Sequence, residues 1–337
     1  MTRPALRWMV AGLVIGATAC SGSTRLDDAV QPQPVEPPEA TNLALPDCPD
    51  TAGADPTRTY APDPAAPTPS VDAIRARGRL IVGVSADTLL FGSANSLKEG
   101  TPIEGFDIDI VAQVAAAIFE VDPDQVDARQ LIEYRVITYA QRIPKLLDGP
   151  DNGGVDIVAH TMTINCRRWQ LIAFSSTYYL AGQKVLVSKE SGVTGLDDLV
   201  AAGATVCAPA GSTNEEYVLG FTDDGLQVAS EADLTDCLVG MQQGRYDAAT
   251  GDDTVLAGFA AQDPNTVVVG ERLTDEPYGM GIAADRTDLV QFVNSVLEEV
   301  RSDGRWADIY DRWLVQTGAL AGDIPEPPAA VYGRELP

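Results

Sequence analysis

The chain has one histidine, His160, in 337 residues, and only 6% of its residues are aromatic. A single imidazole excludes multi-histidine metal centres and leaves little room for histidine-based acid–base catalysis. Basic residues are scarce as well. Twenty-three Lys+Arg stand against 49 Asp+Glu, a formal charge of -26, so the basic footprint that nucleic-acid phosphates require is missing. No segment after residue 19 approaches eighteen uninterrupted apolar residues, which excludes a later membrane-spanning helix. The five cysteines contain no C-x2-C spacing, which argues against a four-thiolate zinc site. No metal, no cofactor and no nucleic-acid partner are expected.

What is present begins with an export signal. Arg3 and Arg7 precede an apolar run from Trp8 to Ala19. Twelve helical residues span only about 18 Å, short of a hydrocarbon core of roughly 30 Å. Residues 1–19 therefore read as a cleaved signal peptide. The run ends in Ala17-Thr18-Ala19-Cys20, which resembles a bacterial lipobox with Ala17 where leucine is usual. The resemblance implies cleavage before Cys20, lipidation of Cys20, and an extracytoplasmic protein anchored to the cell membrane. Loss of Arg3 and Arg7 takes the charge of the mature chain to -28. Cys48, Cys166, Cys207 and Cys237 then remain, an even number that in an exported chain implies two disulfides, with three connectivities open.

Residues 21–70 hold 11 of the 23 prolines and few large apolar side chains, so 20–70 is expected to be an extended tether. Pro325, Pro327, Pro328 and Pro337 mark an irregular tail over 318–337. Between them, strand-like runs such as Arg79–Val84 and Val155–Ala159 alternate with helical patterns such as 106–119 and 289–300. Such alternation predicts α/β architecture with ligands at the carboxyl ends of strands.

A series of landmarks in order carries a more specific signal. They are Gly78-Arg79-Leu80-Ile81-Val82-Gly83, Gly105-Phe106-Asp107, Arg142-Ile143-Pro144, Met162-Thr163-Ile164 with Arg168, Gly211-Ser212-Thr213, Glu276-Pro277-Tyr278-Gly279 and Gly304-Arg305-Trp306. This order resembles the family 3 extracellular solute-binding proteins of polar amino-acid ABC transporters, and in particular actinobacterial glutamine/glutamate-binding lipoproteins, over about 77–316. The resemblance implies a two-lobe periplasmic-binding-protein-like fold. Lobe 1 would comprise 71–181 and 277–317, and lobe 2 would comprise 182–276, joined by hinge strands near Leu180–Gln183 and Asp275–Tyr278. It implies a monomeric, non-enzymatic binder that hands a free amino acid to an ABC permease. The alternative is a lipoprotein that reports the amino acid to a membrane signalling partner. A dehydratase-type enzyme on this fold is the reading least supported, because it would need a cleft acid in place of a full amino-acid clamp.

A free amino acid offers a carboxylate and an ammonium, so its binder needs a guanidinium, hydrogen-bond donors and a carboxylate. The resemblance gives Arg168 and Thr163 the ligand's α-carboxylate, the Thr161 carbonyl its ammonium, and Asp252 the same ammonium from lobe 2. Thr213 adds a carboxylate donor from lobe 2, where Thr213 with Glu216 fits a helix capping box. Arg142 aligns with an arginine that several acidic-ligand binders use for the side-chain carboxylate. Ser85 and Tyr139 are weaker pocket candidates, His160 is expected to be a rim or packed histidine in place of a ligand contact, and Phe91 to belong to the core. Arg142 and Arg168 against Asp252 leave a surplus of one positive charge, which favours glutamate or aspartate over their amides, since a buried unpaired charge is costly. With the lobes so mapped, Cys207–Cys237 becomes a strand-to-helix staple inside lobe 2, and Cys48–Cys166 pins the tether beside the cleft.

Overall fold

The computed structural model describes residues 43–48, 55–97, 103–318 and 323–336. The signal peptide and Cys20 lie outside the described residues. Among the described residues no helix is long and apolar enough to cross a membrane.

Two main sheets organise the chain, as the βα alternation predicts. The first has the order Ile132–Val136, Leu80–Val84, Ile157–Val158, Gly281–Ala283, Ile172–Phe174. Its first three strands are parallel, and Gly281–Ala283 enters antiparallel from late in the sequence. Leu80–Val84 is buried along its whole length, as a central parallel strand covered on both faces must be. The second sheet runs Gln227–Glu231, Thr205–Pro209, Ala248–Asp252, Tyr179–Ser188, Thr266–Val269.

Tyr179–Ser188 is the longest strand and connects the two halves. Its far end pairs with Ala248–Asp252 and Thr266–Val269, while its near end pairs antiparallel with Asp275–Tyr278. Tyr179–Gly182 and Asp275–Tyr278 thus lie side by side. An aromatic cluster surrounds them. Phe91 packs edge-on against Tyr179 and Tyr278, and Phe106 against Tyr179, Trp306 and Tyr310. Such ring pairs add about 0.5–1.5 kcal/mol beyond the area they bury. The 16-residue helix Thr287–Ser302 turns an apolar stripe, Leu289, Val293, Val296, Leu297 and Val300, onto Phe106–Phe119.

Several elements lie outside what the pattern indicates. Asp87–Thr88, Gly92–Ala94 and Ile103–Glu104 form a small third sheet, built from strands too short to show periodicity. Part of the stretch 20–70, expected to be a tether, is packed on the body instead. Thr59 and Tyr60 are buried, Thr59 bridges to Tyr332, and a helix starts at Pro69. The Thr59 hydroxyl donates to the Phe174 carbonyl at 2.6 Å, and Asn294 donates to the Tyr60 carbonyl at 2.8 Å. Hydrogen bonds to residues more than a hundred positions away and the Tyr60 ring hold this stretch, so its proline-rich composition does not reveal it. The expected irregular tail takes part through Tyr332 and through Arg334, whose guanidinium lies 3.6 Å over the Trp169 ring. Both expected disulfides are present, Cys48–Cys166 and Cys207–Cys237.

Candidate functional site

The strand Asp275–Tyr278, paired with Tyr179–Gly182, lies beside the residues that follow Ile157–Val158 and Ala248–Asp252, and these line the candidate cleft. The loop after Ile157–Val158 is stitched to that strand. Ile164 donates its amide to the Pro277 carbonyl at 2.7 Å and Gly279 donates to the Met162 carbonyl at 3.1 Å. Within the loop Thr161 has φ +40°, an unusual conformation for a β-branched residue. It is held there by the buried Asp107, which accepts the Thr161 amide at 2.7 Å and the Tyr178 hydroxyl at 2.7 Å. Burial pushes Asp107 up to about 6 against the pull of these two hydrogen bonds.

Arg168 stands on the short helix Cys166–Trp169, whose amino end is capped by the Asn165 side chain accepting from the Arg168 amide. Its guanidinium is buried and donates to the Thr163 carbonyl at 2.6 Å and the Gly211 carbonyl at 3.4 Å. Burial, then the neighbouring Arg142 cation, brings its pKa down to about 9. The Thr163 and Thr213 hydroxyls approach to 3.4 Å from opposite sides of the cleft. Both donate to one acceptor, Oε2 of Glu276, at 2.5 and 2.7 Å. Asp252, at the end of Ala248–Asp252, accepts from Asn214 at 2.9 Å and from the Tyr278 hydroxyl. Burial first, and the Glu276 carboxylate second, push Asp252 up to about 7. Arg168, Thr163, Thr213 and Asp252, spread over 89 positions of sequence (163 to 252), are therefore brought together. A guanidinium with hydroxyl donors on one side and a carboxylate on the other is chemically fitted to a zwitterion.

The remaining sequence-derived residues occupy less direct places. Arg142 makes four hydrogen bonds to protein carbonyls: Tyr139 at 3.0 Å, His160 and Thr161 at 3.2 Å each, and Gly211 at 3.3 Å. It also lies 4.7 Å over the Tyr139 ring. The Thr161 carbonyl, expected to meet an ammonium, here accepts from Arg142. Tyr139 stacks edge-on with His160, whose ring bonds the Ile137 carbonyl at 3.1 Å. Burial and the Arg142 cation bring His160 down to about 3, a neutral packed histidine as expected. Ser85 spends its hydroxyl locally, donating to Asp87 at 2.7 Å and accepting the Thr88 amide at 3.1 Å.

Two expectations need correction. The helix cap is Ser212, not Thr213: the Ser212 hydroxyl accepts the Glu215 amide, and Glu215 reaches back to the Gly211 amide at 2.7 Å. Thr213 is the first helical residue, which is why its hydroxyl is available to the cleft. The surplus of one positive charge also disappears, because it left out Glu276, a buried carboxylate of the candidate cleft. Sequence reading missed Glu276 as a site residue although it lies in the quoted Glu276-Pro277-Tyr278-Gly279 landmark. On the strand Asp275–Tyr278 it shares the buried face with Tyr278, but four residues are too few for that alternation to show in the sequence. Asp87 and Asp233 were missed too. The helix Leu234–Gln242 packs on Asp87–Thr88, and burial, then Asp87, pushes Asp233 up to about 7.

Gly211 shows how close the opposed surfaces come. With φ +77°, it would place a Cβ 3.0 Å from the Ala140 Cα, so a side chain there would be strained and crowded.

Residues 80–316 match the family model described as bacterial extracellular solute-binding proteins, family 3. This chain belongs to that family. It is 32% identical to the ABC transporter glutamine-binding protein GlnH of Bacillus subtilis over 247 residues, covering 73% of this chain and 85% of the relative. It is 30% identical to the glutamate-binding protein GluB of Corynebacterium efficiens over 234 residues, covering 67% and 76%. A solved structure of an ancestral arginine-binding protein bound to glutamine superimposes with a TM-score of 0.61 at 30% identity, covering 70% of this chain and 98% of that one. The two-lobe fold expected from the sequence is thereby shown, and with it an extracytoplasmic solute-binding role.

Proposed function

We propose that this protein binds a free polar amino acid between its lobes, 71–181 with 277–317 and 182–276, and delivers it to an ABC permease from a lipid anchor at Cys20. The observation that carries the reading is that Thr163 and Thr213 meet on Glu276 from two sides, with the buried Arg168 bonded to the Thr163 carbonyl and Asp252 close enough to feel the Glu276 charge. Arg168 grips the ligand's α-carboxylate, Thr163 and Thr213 join it by turning their hydroxyls from Glu276, and Asp252 pairs with its ammonium. The names of the relatives, glutamine- and glutamate-binding, support the same ligand class.

Charge decides between acid and amide. Arg142 and Arg168 are matched by Asp252 and Glu276, so a ligand without net charge leaves the buried site balanced. Arg142, already committed to four carbonyls, frames the Thr161 loop and the Gly211 turn in place of meeting a side-chain carboxylate. We therefore favour glutamine over glutamate and aspartate, a revision of the acidic preference read from sequence. Titration calorimetry of the purified protein with each of the twenty amino acids tests this. Glutamine is expected to bind most tightly. A profile dominated by glutamate or aspartate would return the acidic reading, and no binding by any of the twenty would remove the proposal.

A further inference from the structure

Residues 43–48 lie outside the span that matches the family, yet they sit at the rim of the cleft. Leu43 and Leu45 line a cavity of about 40 Å³ together with Tyr139, Arg142, Arg168 and Gly211. On the other flank, Cys48 lines a second cavity with Thr163, Thr213, Glu216 and Glu276. The segment therefore borders the same side-chain cluster from two directions.

Three contacts fasten it, all to the helix that carries Arg168. Cys48 is disulfide-bonded to Cys166. Arg167 donates to the Leu45 carbonyl at 2.8 Å and to the Pro46 carbonyl at 3.3 Å. The same helix also meets Pro56, outside the segment, whose carbonyl accepts the Trp169 indole N–H at 2.8 Å. Consecutive helical residues point about 100° apart, so Arg167 faces outward while Arg168 enters the cleft. The remaining amino group of Arg167 pairs with Glu216, on the helix Thr213–Leu219 of the opposite half. One guanidinium thus joins the segment, the Arg168 helix and the far side of the cleft.

We propose that residues 43–48 are a functional part of the binding site, a strap fastened by Cys48–Cys166 that holds Arg167 on Glu216 and so slows the opening of the lobes. Arg167 is a positioning residue. The strap orients it by its two carbonyls, and it in turn restrains the helix that begins with Thr213. Arg167 and Glu216 are a third to a half exposed, so the ion pair adds little equilibrium stability, and its effect is expected on the rate of opening. The inference rests on the reading that the cleft holds an amino acid.

The test is the release rate of L-glutamine by stopped-flow tryptophan fluorescence, for the full-length mature protein and the variants C48S/C166S, E216Q, R167Q and R167K. Release should accelerate about tenfold in C48S/C166S, with association little changed, because perturbed interfaces act mainly through dissociation. E216Q and R167Q should accelerate release several-fold, and R167K should recover part of the loss. Combining E216Q with C48S/C166S should give less than the product of the two effects, since both act through Arg167. Release within twofold of wild type in C48S/C166S and E216Q alike would overturn the strap, as would an equal fall in association. Hydrogen exchange of the Thr213–Leu219 amides without ligand supplies a second readout. Exchange should quicken in both variants, and unchanged exchange counts against the strap even if no amino acid binds. Absence of binding by the wild type removes the functional reading alone.

Discussion

The guanidinium groups of Arg142 and Arg168 both donate to the Gly211 carbonyl, at 3.3 and 3.4 Å, across the cleft. Two cations held side by side away from water need anions near them. Glu276 and Asp252 supply these, and the α-carboxylate of a ligand would add a third. Arg142 spends its donors on four carbonyls, whereas Arg168 makes two such bonds, and under the proposed reading the rest of its fork would meet the ligand.

Arg168→Ala should therefore weaken every amino acid that binds. Removing one partner of a buried charge pair costs about 2–5 kcal/mol, or roughly thirty- to several-thousand-fold in affinity. Calorimetry on the folded variant checks this, and affinity within threefold of wild type would remove Arg168 from the site.

Arg142→Ala separates the frame from specificity. Sequence alignment alone gives it a selective effect on glutamate and aspartate. Its four carbonyl contacts predict instead that glutamine and glutamate lose affinity by similar factors, about tenfold. A selective loss of the acidic ligands, measured side by side, would restore the side-chain role.

Asp252 makes binding depend on pH. In the ligand-free protein its pKa is raised to about 7, and a bound ammonium favours the ionised form. Affinity should fall as pH drops from 8 towards 5, with proton release on binding near pH 7 detectable as a buffer-dependent heat. The same raised pKa acts oppositely on folding. Between the ordinary carboxylate value and 7 the folded state holds the extra proton, so this group's contribution to stability declines as pH rises through that window. Asp252→Asn should flatten both trends, and an unchanged affinity profile in that variant would assign the dependence elsewhere.

The staple Cys207–Cys237 joins Thr205–Pro209 to Leu234–Gln242 within one half of the molecule. Its replacement by serines should cost about 2–4 kcal/mol in denaturant unfolding. The cleft of the folded variant should keep its affinity, because neither cysteine touches Arg168, Thr163 or Asp252. A large affinity loss without a stability loss would contradict this assignment.

Much of this architecture could be read in the chain. Leu80–Val84 and the 106–119 helix are regular enough to show as periodicity, and the order of the landmarks pointed to the two lobes. Arg168, Thr163, Thr213 and Asp252 were singled out through the family resemblance, which supplied positions for the residue types an amino acid would need, and the structure brings them near one another. Glu276 was not singled out, because a carboxylate on a four-residue strand shows no periodicity, and its partners Thr163 and Thr213 lie 113 and 63 residues away. The helix Pro69–Arg77 carried its own signals, proline at the start and Gly78 in the left-handed region at the end, but lay inside a segment whose composition suggested a tether. Thr59, Tyr60 and Tyr332 are held by partners far away in the sequence, which leave no mark in composition.

A crystal structure of the mature protein grown with L-glutamine tests the central claim most directly. The account predicts the ligand's α-carboxylate on Arg168, Thr163 and Thr213, its ammonium on Asp252, and the Leu43–Cys48 segment still seated at the rim. A ligand bound elsewhere, or in the cleft with its α-carboxylate away from Arg168, would contradict it.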